Sequence, residues 1–173
     1  MRILITGGAG YIGGTVADLL VKNGHSVTVY DNLSHGHSSL LPQGASFVHG
    51  DVADRNALDR LFASQSFDGV MHFAALIEAG ESMRKPEIYF RNNTAATLTL
   101  LEAMLAFDIQ RLVFSSTAAV YGEPGTSPID EDSPLRPTNA YGESKLLVEH
   151  MLTWLNRIHG LRYASLRYFN VAG

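Results

Sequence analysis

Apolar and polar positions along the chain alternate between two periods. Short runs rich in β-branched residues predict strands at Arg2–Thr6, Ser26–Tyr30, Ser46–His49, Gly69–Phe73, Arg111–Ser115 and Arg162–Tyr168. Longer patterns between them predict helices at Ile12–Asn23, Asp54–Ala63, Pro86–Phe107 and Tyr141–His159. Val70-Met71-His72-Phe73-Ala74 and Leu112-Val113-Phe114 are apolar on both faces, as strands of a parallel sheet covered by helices must be. The alternation predicts an α/β fold, a doubly wound parallel sheet forming one domain over residues 1–173, with a ligand crevice at the carboxyl ends of the strands.

Two features exceed what such a fold needs. On the helix predicted at 141–159, Leu147, Met151, Trp154, Leu155 and Ile158 form one apolar stripe and Val148 and Leu152 a second, whereas covering a sheet takes only one. The surplus here and on 86–107 predicts a homodimer interface. The connection from Gly122 to Asn139 is eighteen residues long and holds Pro124, Pro128, Pro134 and Pro137, which suits a lid or binding loop; the alternative is a tolerated surface insertion.

Composition narrows the partners. A chain of 173 residues can bury a core unaided, and it has no cysteine for a disulfide or a thiolate metal site. Its seven histidines show no zinc-like spacing, His35 and His37 lying in a Gly/Ser-rich loop, so no metal is expected. A net charge of −4 without a basic block argues against nucleic acid. Met1-Arg2 runs straight into Ile3-Leu4-Ile5 with no signal-peptide pattern, and no apolar run approaches membrane-spanning length. A soluble cytoplasmic protein is the expectation.

Candidate chemistry begins in ITGGAGYIGG, where Gly7, Gly10 and Gly13 fall between a predicted strand and a predicted helix. Glycines there allow a tight turn and a bare backbone beside a pyrophosphate, which the helix amino terminus then faces. The next strand ends at Asp31, eighteen residues beyond Gly13. An acid at that place accepts bonds from both adenosine ribose hydroxyls and repels a 2′-phosphate, so NAD rather than NADP is expected on a Rossmann-like domain. The alternative is a structural turn with a surface aspartate.

In NAYGESKLLVE, Tyr141 and Lys145 stand one helical turn apart, with Thr138 or Asn139 as the cap. A nearby ammonium, the positive helix end and an oxidised nicotinamide all favour phenolate, making Tyr141 a candidate proton acceptor. Without its context, a surface pair explains Tyr-x-x-x-Lys about as well. Among Ser115, Ser116 and Thr117 at the preceding strand end, Thr117 is the candidate hydroxyl to bridge Tyr141 and a substrate oxygen; alternatively these hydroxyls only satisfy nearby backbone.

GGAGYIG, DNLSHGH, HFAALIEAGES, SSTAAVYG, YGESK and RYFNVAG, in this order and spacing, closely resemble the UDP-glucose 4-epimerases, extended short-chain dehydrogenases/reductases. The resemblance covers the whole chain. It implies an NAD-dependent isomerase that removes a hydride from C4 of a UDP-hexose while the tyrosine takes the O4 proton, and then returns the hydride to the other face. Carried over by motif, Tyr11 and Ile12 lie at the pyrophosphate, Asp31, Asn32, Ser34 and Gly36 on the adenosine side, and Asp51 and Val52 beside the adenine. Phe73, Ala74 and Ala75 pass under the cofactor. Asn92 bonds near the nicotinamide ribose, as does Lys145. Tyr168 and Phe169 sit by the nicotinamide, and Asn170 by the nucleotide-sugar phosphates.

Two positions depart from the pattern. Ile77 replaces a lysine of some members, removing a charge from the cofactor phosphates, and Thr117 replaces a serine while keeping the hydroxyl. Sister dehydratases carry an Asp-Glu pair just after that hydroxyl; Ala118-Ala119 here leaves no carboxyl group to drive elimination, so epimerisation at C4 or by a related sugar-nucleotide epimerase remains. The resemblance also implies a smaller substrate-binding part beyond residue 173. The chain is therefore expected to be an excised or truncated cofactor half with an exposed sheet edge, and a cofactor module without turnover of its own is the competing reading.

Overall fold

A computed structural model describes residues 1–125 and 127–172. Its sheet is built from β1 (Arg2–Thr6), β2 (Ser26–Asp31), β3 (Ser46–His49), β4 (Gly69–His72), β5 (Arg111–Ser115) and β6 (Arg162–Leu166). All pair in parallel, in the order β3-β2-β1-β4-β5-β6. The order reverses between β1 and β4, which opens a crevice at the carboxyl ends of these strands. Helices α1 (Tyr11–Lys22), α2 (Arg55–Ser64), α3 (Ala79–Ser82), α4 (Pro86–Tyr89), α5 (Ala96–Ala106) and α6 (Ala140–His159) complete the layers.

Two buried clusters hold the sheet. The larger joins Leu4, Val70, Leu112 and Phe114 to Leu58, Leu100, Met104, Val148 and Leu152 from α2, α5 and α6. The smaller sets Ile3, Ile5, Val27 and Val29 against Ala17 of α1. β6 lies at one end of the sheet and β3 at the other, and β6 alternates between exposed and half-buried residues.

Several boundaries differ from expectation, most by a single residue. The strand predicted to reach Tyr168 stops at Leu166, because β5 ends at Ser115 and the chain beyond it turns into a 3-10 helix, Ala118–Tyr121. β4 ends at His72, one residue early. The helix predicted over 86–107 is interrupted: a π-helical segment, Phe90–Ala95, separates α4 from α5. Such a wide turn rotates side chains off the α-helical stripe and is frequent at functional sites.

The 122–139 connection is docked. Ile129 and Leu135 pack on Val120, Tyr121 and Leu146, and the Glu131 carbonyl accepts a bond from Arg167 Nη1 at 3.0 Å. No helix among the described residues is long and apolar enough to cross a membrane.

Candidate active site

The glycine turn leaves β1 at Thr6, and Gly7 has φ +74°, a conformation that L side chains rarely adopt. A Cβ on Gly7 would overlap the Phe73 and Ala74 backbone, and one on Gly13 would overlap the Gly7 carbonyl. The protein's own packing thus requires two of the three glycines. At Gly10 the nearest atom to such a Cβ, the Gly7 carbonyl oxygen, is 3.3 Å away. No side chain caps α1 at Gly10, so its first turn keeps donors for an anion.

Asp31 ends β2 beside this turn and is 9% exposed. One carboxylate oxygen accepts from Ala9 N–H at 3.0 Å and the other from Leu33 N–H at 2.8 Å. Each retains a further lone pair, which fits two ribose hydroxyls. Asn32 donates to Asp51 at 2.9 Å and accepts from Ser34 N–H at 2.9 Å, and Gly36 lies against Ala9. Asp51 also accepts from Ala53 N–H at 2.8 Å, next to buried Val52. The expected adenosine-side residues are therefore neighbours. Tyr11 is exposed and Ile12 half-buried at the start of α1, while Ile77, 64% exposed, puts no cation after β4.

Phe73, Ala74 and Ala75 follow β4 half-buried, tied to β1 by Phe73 N–H to the Thr6 carbonyl at 2.9 Å. Their continuation is clamped by a residue that sequence reasoning missed. Asn93, in the π-helical segment, accepts from Leu76 N–H and donates to the Leu76 carbonyl, both at 2.9 Å, and donates to Ser144 of α6 at 3.1 Å. Asn92 donates to Asn93 at 3.0 Å. The available signal was a tandem Asn in an otherwise apolar helix, since a buried amide must find partners.

The start of α6 carries the chemistry. Asn139 is the cap, accepting from Gly142 N–H at 2.8 Å, which decides between the two expected caps. A Cβ at Gly142 would stand 2.7 Å from the Ala119 carbonyl oxygen, so this glycine lets α6 press against the 3-10 helix beyond β5. Tyr141 N–H donates to Ser82 Oγ of α3 at 3.1 Å. The Thr117 hydroxyl accepts from Ala119 N–H at 3.1 Å and is near enough to the Tyr141 phenol to act on its pKa. Ser116 instead donates to Glu149, and Ser115 offers its carbonyl to Lys145 Nζ at 2.9 Å.

Burial pushes the Tyr141 phenol above its usual pKa, and the neighbouring Thr117 hydroxyl only partly opposes this. Lys145, 2% exposed, is itself lowered by burial to about 7 and is directed at the Ser115 carbonyl and the Phe114 ring, 4.9 Å from its centroid. In this arrangement Lys145 is engaged with Ser115 and Phe114, and the burial of the Tyr141 phenol is opposed by Thr117.

Glu149 and Arg167 were also missed. Arg167 Nη2 meets Glu149 at 2.7 Å, Nε shares both carboxylate oxygens, and Nη1 reaches Tyr121 Oη at 2.8 Å. The carboxylate holds the guanidinium pKa above its ordinary value. The pair locks α6 to the chain leaving β6. Tyr141, Lys145 and Glu149, spaced by four, form one helix face, and a carboxylate on a buried face demands a cation. Beyond it, Tyr168 is half-buried while Phe169 and Asn170 are exposed, with Tyr168 and Phe169 lining an open cleft of about 510 Å³ that also takes in Asp130 and Glu131. Burial raises the Tyr168 pKa. Among the described residues no acidic, histidine or cysteine cluster is arranged to hold a metal ion.

Residues 3–173 match the NAD dependent epimerase/dehydratase family. The chain belongs to it. It is 53% identical over 173 residues to a UDP-glucose 4-epimerase of Streptomyces lividans, covering 99% of this chain and 53% of that protein. A crystal structure of a UDP-glucose 4-epimerase superposes with a TM-score of 0.98 at 47% identity, over 100% of this chain and 53% of the other. The Brucella ovis UDP-glucose 4-epimerase in complex with NAD gives 0.95 at 43% identity, over 98% and 52%. The chain spans about half the length of these relatives.

Proposed function

We propose that these residues form the NAD-binding and proton-transferring half of a UDP-hexose 4-epimerase acting between UDP-glucose and UDP-galactose. The observation that carries the reading is the convergence of Thr117, Tyr141 and Lys145 at the mouth of β5, beside the glycine turn and without a carboxyl group at 118 or 119. Gly10, Tyr11, Ile12 and the α1 amino terminus would hold the pyrophosphate. Asp31, Asn32, Ser34, Gly36, Asp51 and Val52 would hold the adenosine, and Asn92, Lys145, Tyr168 and Phe169 the nicotinamide side. NAD, when bound, supplies the hydride acceptor and donor.

Tyr141 takes the O4 proton and later returns it, and Thr117, beside the phenol, shares the sugar oxygen. Lys145 binds ribose and, with the cofactor's positive ring, lowers the phenol pKa that burial alone raises. Asn170 contributes to the UDP phosphates. In the relatives' remaining length we place most of the grip on UDP and the exclusion of water, so the 173 residues alone bind NAD with negligible turnover. We also propose a cytoplasmic homodimer through α5 and α6, whose outer faces expose Leu98, Trp154 and Ile158. Trp154 is 59% exposed and carries Arg157 at 5.5 Å, a face the core does not use. Light scattering should show a dimer at high concentration; a monomer would overturn that part.

The functional test is a coupled assay of UDP-galactose conversion by this chain beside a longer version carrying the substrate half. Turnover only in the longer chain is expected. Robust epimerisation by residues 1–173, or none by the longer chain, would contradict the reading.

A further inference from the structure

Lys145, Phe114 and His72 come from α6, β5 and β4 and meet in a layer closed to solvent, 2%, 0% and 1% exposed. His72 and Phe114 are register partners on neighbouring strands, and their rings stack with centroids 5.9 Å apart and planes 19° apart. Lys145 Nζ lies over the same phenyl ring. The negative face of an aromatic ring attracts a cation, which an aliphatic wall of the same volume does not.

The protonation of His72 follows from its neighbours. Thr97 Oγ1 spends its one proton on the Asn93 carbonyl at 2.7 Å, so towards His72 Nε2, 2.8 Å away, it can only accept. The imidazole therefore carries its proton on Nε2, and bare Nδ1 accepts from Thr6 Oγ1 at 2.6 Å. Both nitrogens are occupied and the ring is held in plane from β1 and from the helical layer. Burial, and then the charge of Lys145, keep it neutral by lowering its pKa to about 3. Around the ammonium, His72 faces it from β4, while α6 itself carries Tyr141 and Glu149, the latter committed to Arg167 and Ser116.

We propose that His72 and Phe114 are positioning residues for Lys145: the neutral Nε2–H imidazole fixes the phenyl ring, and the ring face holds the ammonium at the mouth of β5. The consequence for turnover rests on the reading of Lys145 above, but the placement itself is measurable in the 173-residue chain.

The test is a titration of the chain labelled with ¹³Cε-lysine, followed by NMR beside the side-chain ¹⁵N signals of His72. Lys145 should titrate near 7. Replacing Phe114 by trifluorophenylalanine, almost unchanged in shape but with a weakened ring quadrupole, should lower that midpoint by about 0.5–1 pH unit; Phe114→Leu should do at least as much. His72 should stay in the Nε2–H form down to pH 5. An unchanged Lys145 midpoint in the folded fluorinated protein, or a His72 that is Nδ1–H or protonates above pH 5, would overturn the proposal. The fluorinated chain decides even if Phe114→Leu fails to fold. Full turnover by Lys145→Met in a longer chain would sink the catalytic reading of Lys145 and leave the platform standing.

Discussion

The cofactor side and the chemistry side of this sheet are held by different forces. Around β1 to β3 the polar side chains settle with backbone N–H groups and with one another in the loops after the strands: Asp31 with Ala9 and Leu33, Asn32 with Ser34 and Asp51. Around β5, β6 and α6 they settle through buried charge: Glu149 with Ser116 and Arg167, Arg167 with Tyr121, Lys145 with Ser115 and Phe114. A carboxylate held by backbone N–H groups is fixed before any ligand arrives. A site made of buried ions depends on every partner and on pH.

The largest expected effect separates the two sides directly. In a longer chain with the substrate half, Tyr141→Phe should cut turnover by about 10²–10⁴-fold, because it deletes the proton acceptor, while NAD affinity from calorimetry changes little. Parallel loss of both would mean that the two sides are not separable.

Next comes the ion pair. Glu149→Ala leaves a guanidinium whose side chain is only 20% exposed, and should cost about 2–4 kcal/mol in urea unfolding, discounted for that exposure. Hydrogen exchange should rise in 129–135, which Arg167 tethers. A Glu149→Met, Arg167→Met double variant should recover much of the loss; no recovery would show that the pair is not the main tie.

The third effect is on pH. Lys145 falls from 10.5 to about 7 on folding, so between these values the unfolded chain holds more protons, and stability rises with pH from about 7 towards 10.5. His72 falls from 6.5 to about 3, so stability is lost as pH falls through that window. Lys145→Met should flatten the alkaline rise and His72→Gln the acid fall in denaturation midpoints. Unchanged slopes would contradict the burial of these charges.

The glycine turn between β1 and α1 and the acid ending β2 were legible because their signals are local: a strand, three glycines and an aspartate at the end of the next strand. The cap of α6 was legible for the same reason to within Thr138 or Asn139. Asn93 was not, because the π-helical segment takes it off the α-helical stripe and turns it inward. Arg167 meets Glu149 and Tyr121 only through the pairing of β6 with β5 and the packing of α6, which no local pattern specifies. The burial that raises the Tyr141 pKa was not legible, because burial cannot be weighed from a spacing of four residues.

The smallest effect is also the most direct test of the claim that this chain carries an NAD site. Calorimetric titration of the 173-residue chain should show saturable NAD binding with NADP at least about tenfold weaker, and Asp31→Asn should narrow the gap, since a mismatched polar group there costs about 1–3 kcal/mol. No NAD binding by the folded chain, or equal affinity for the two cofactors, would contradict the account.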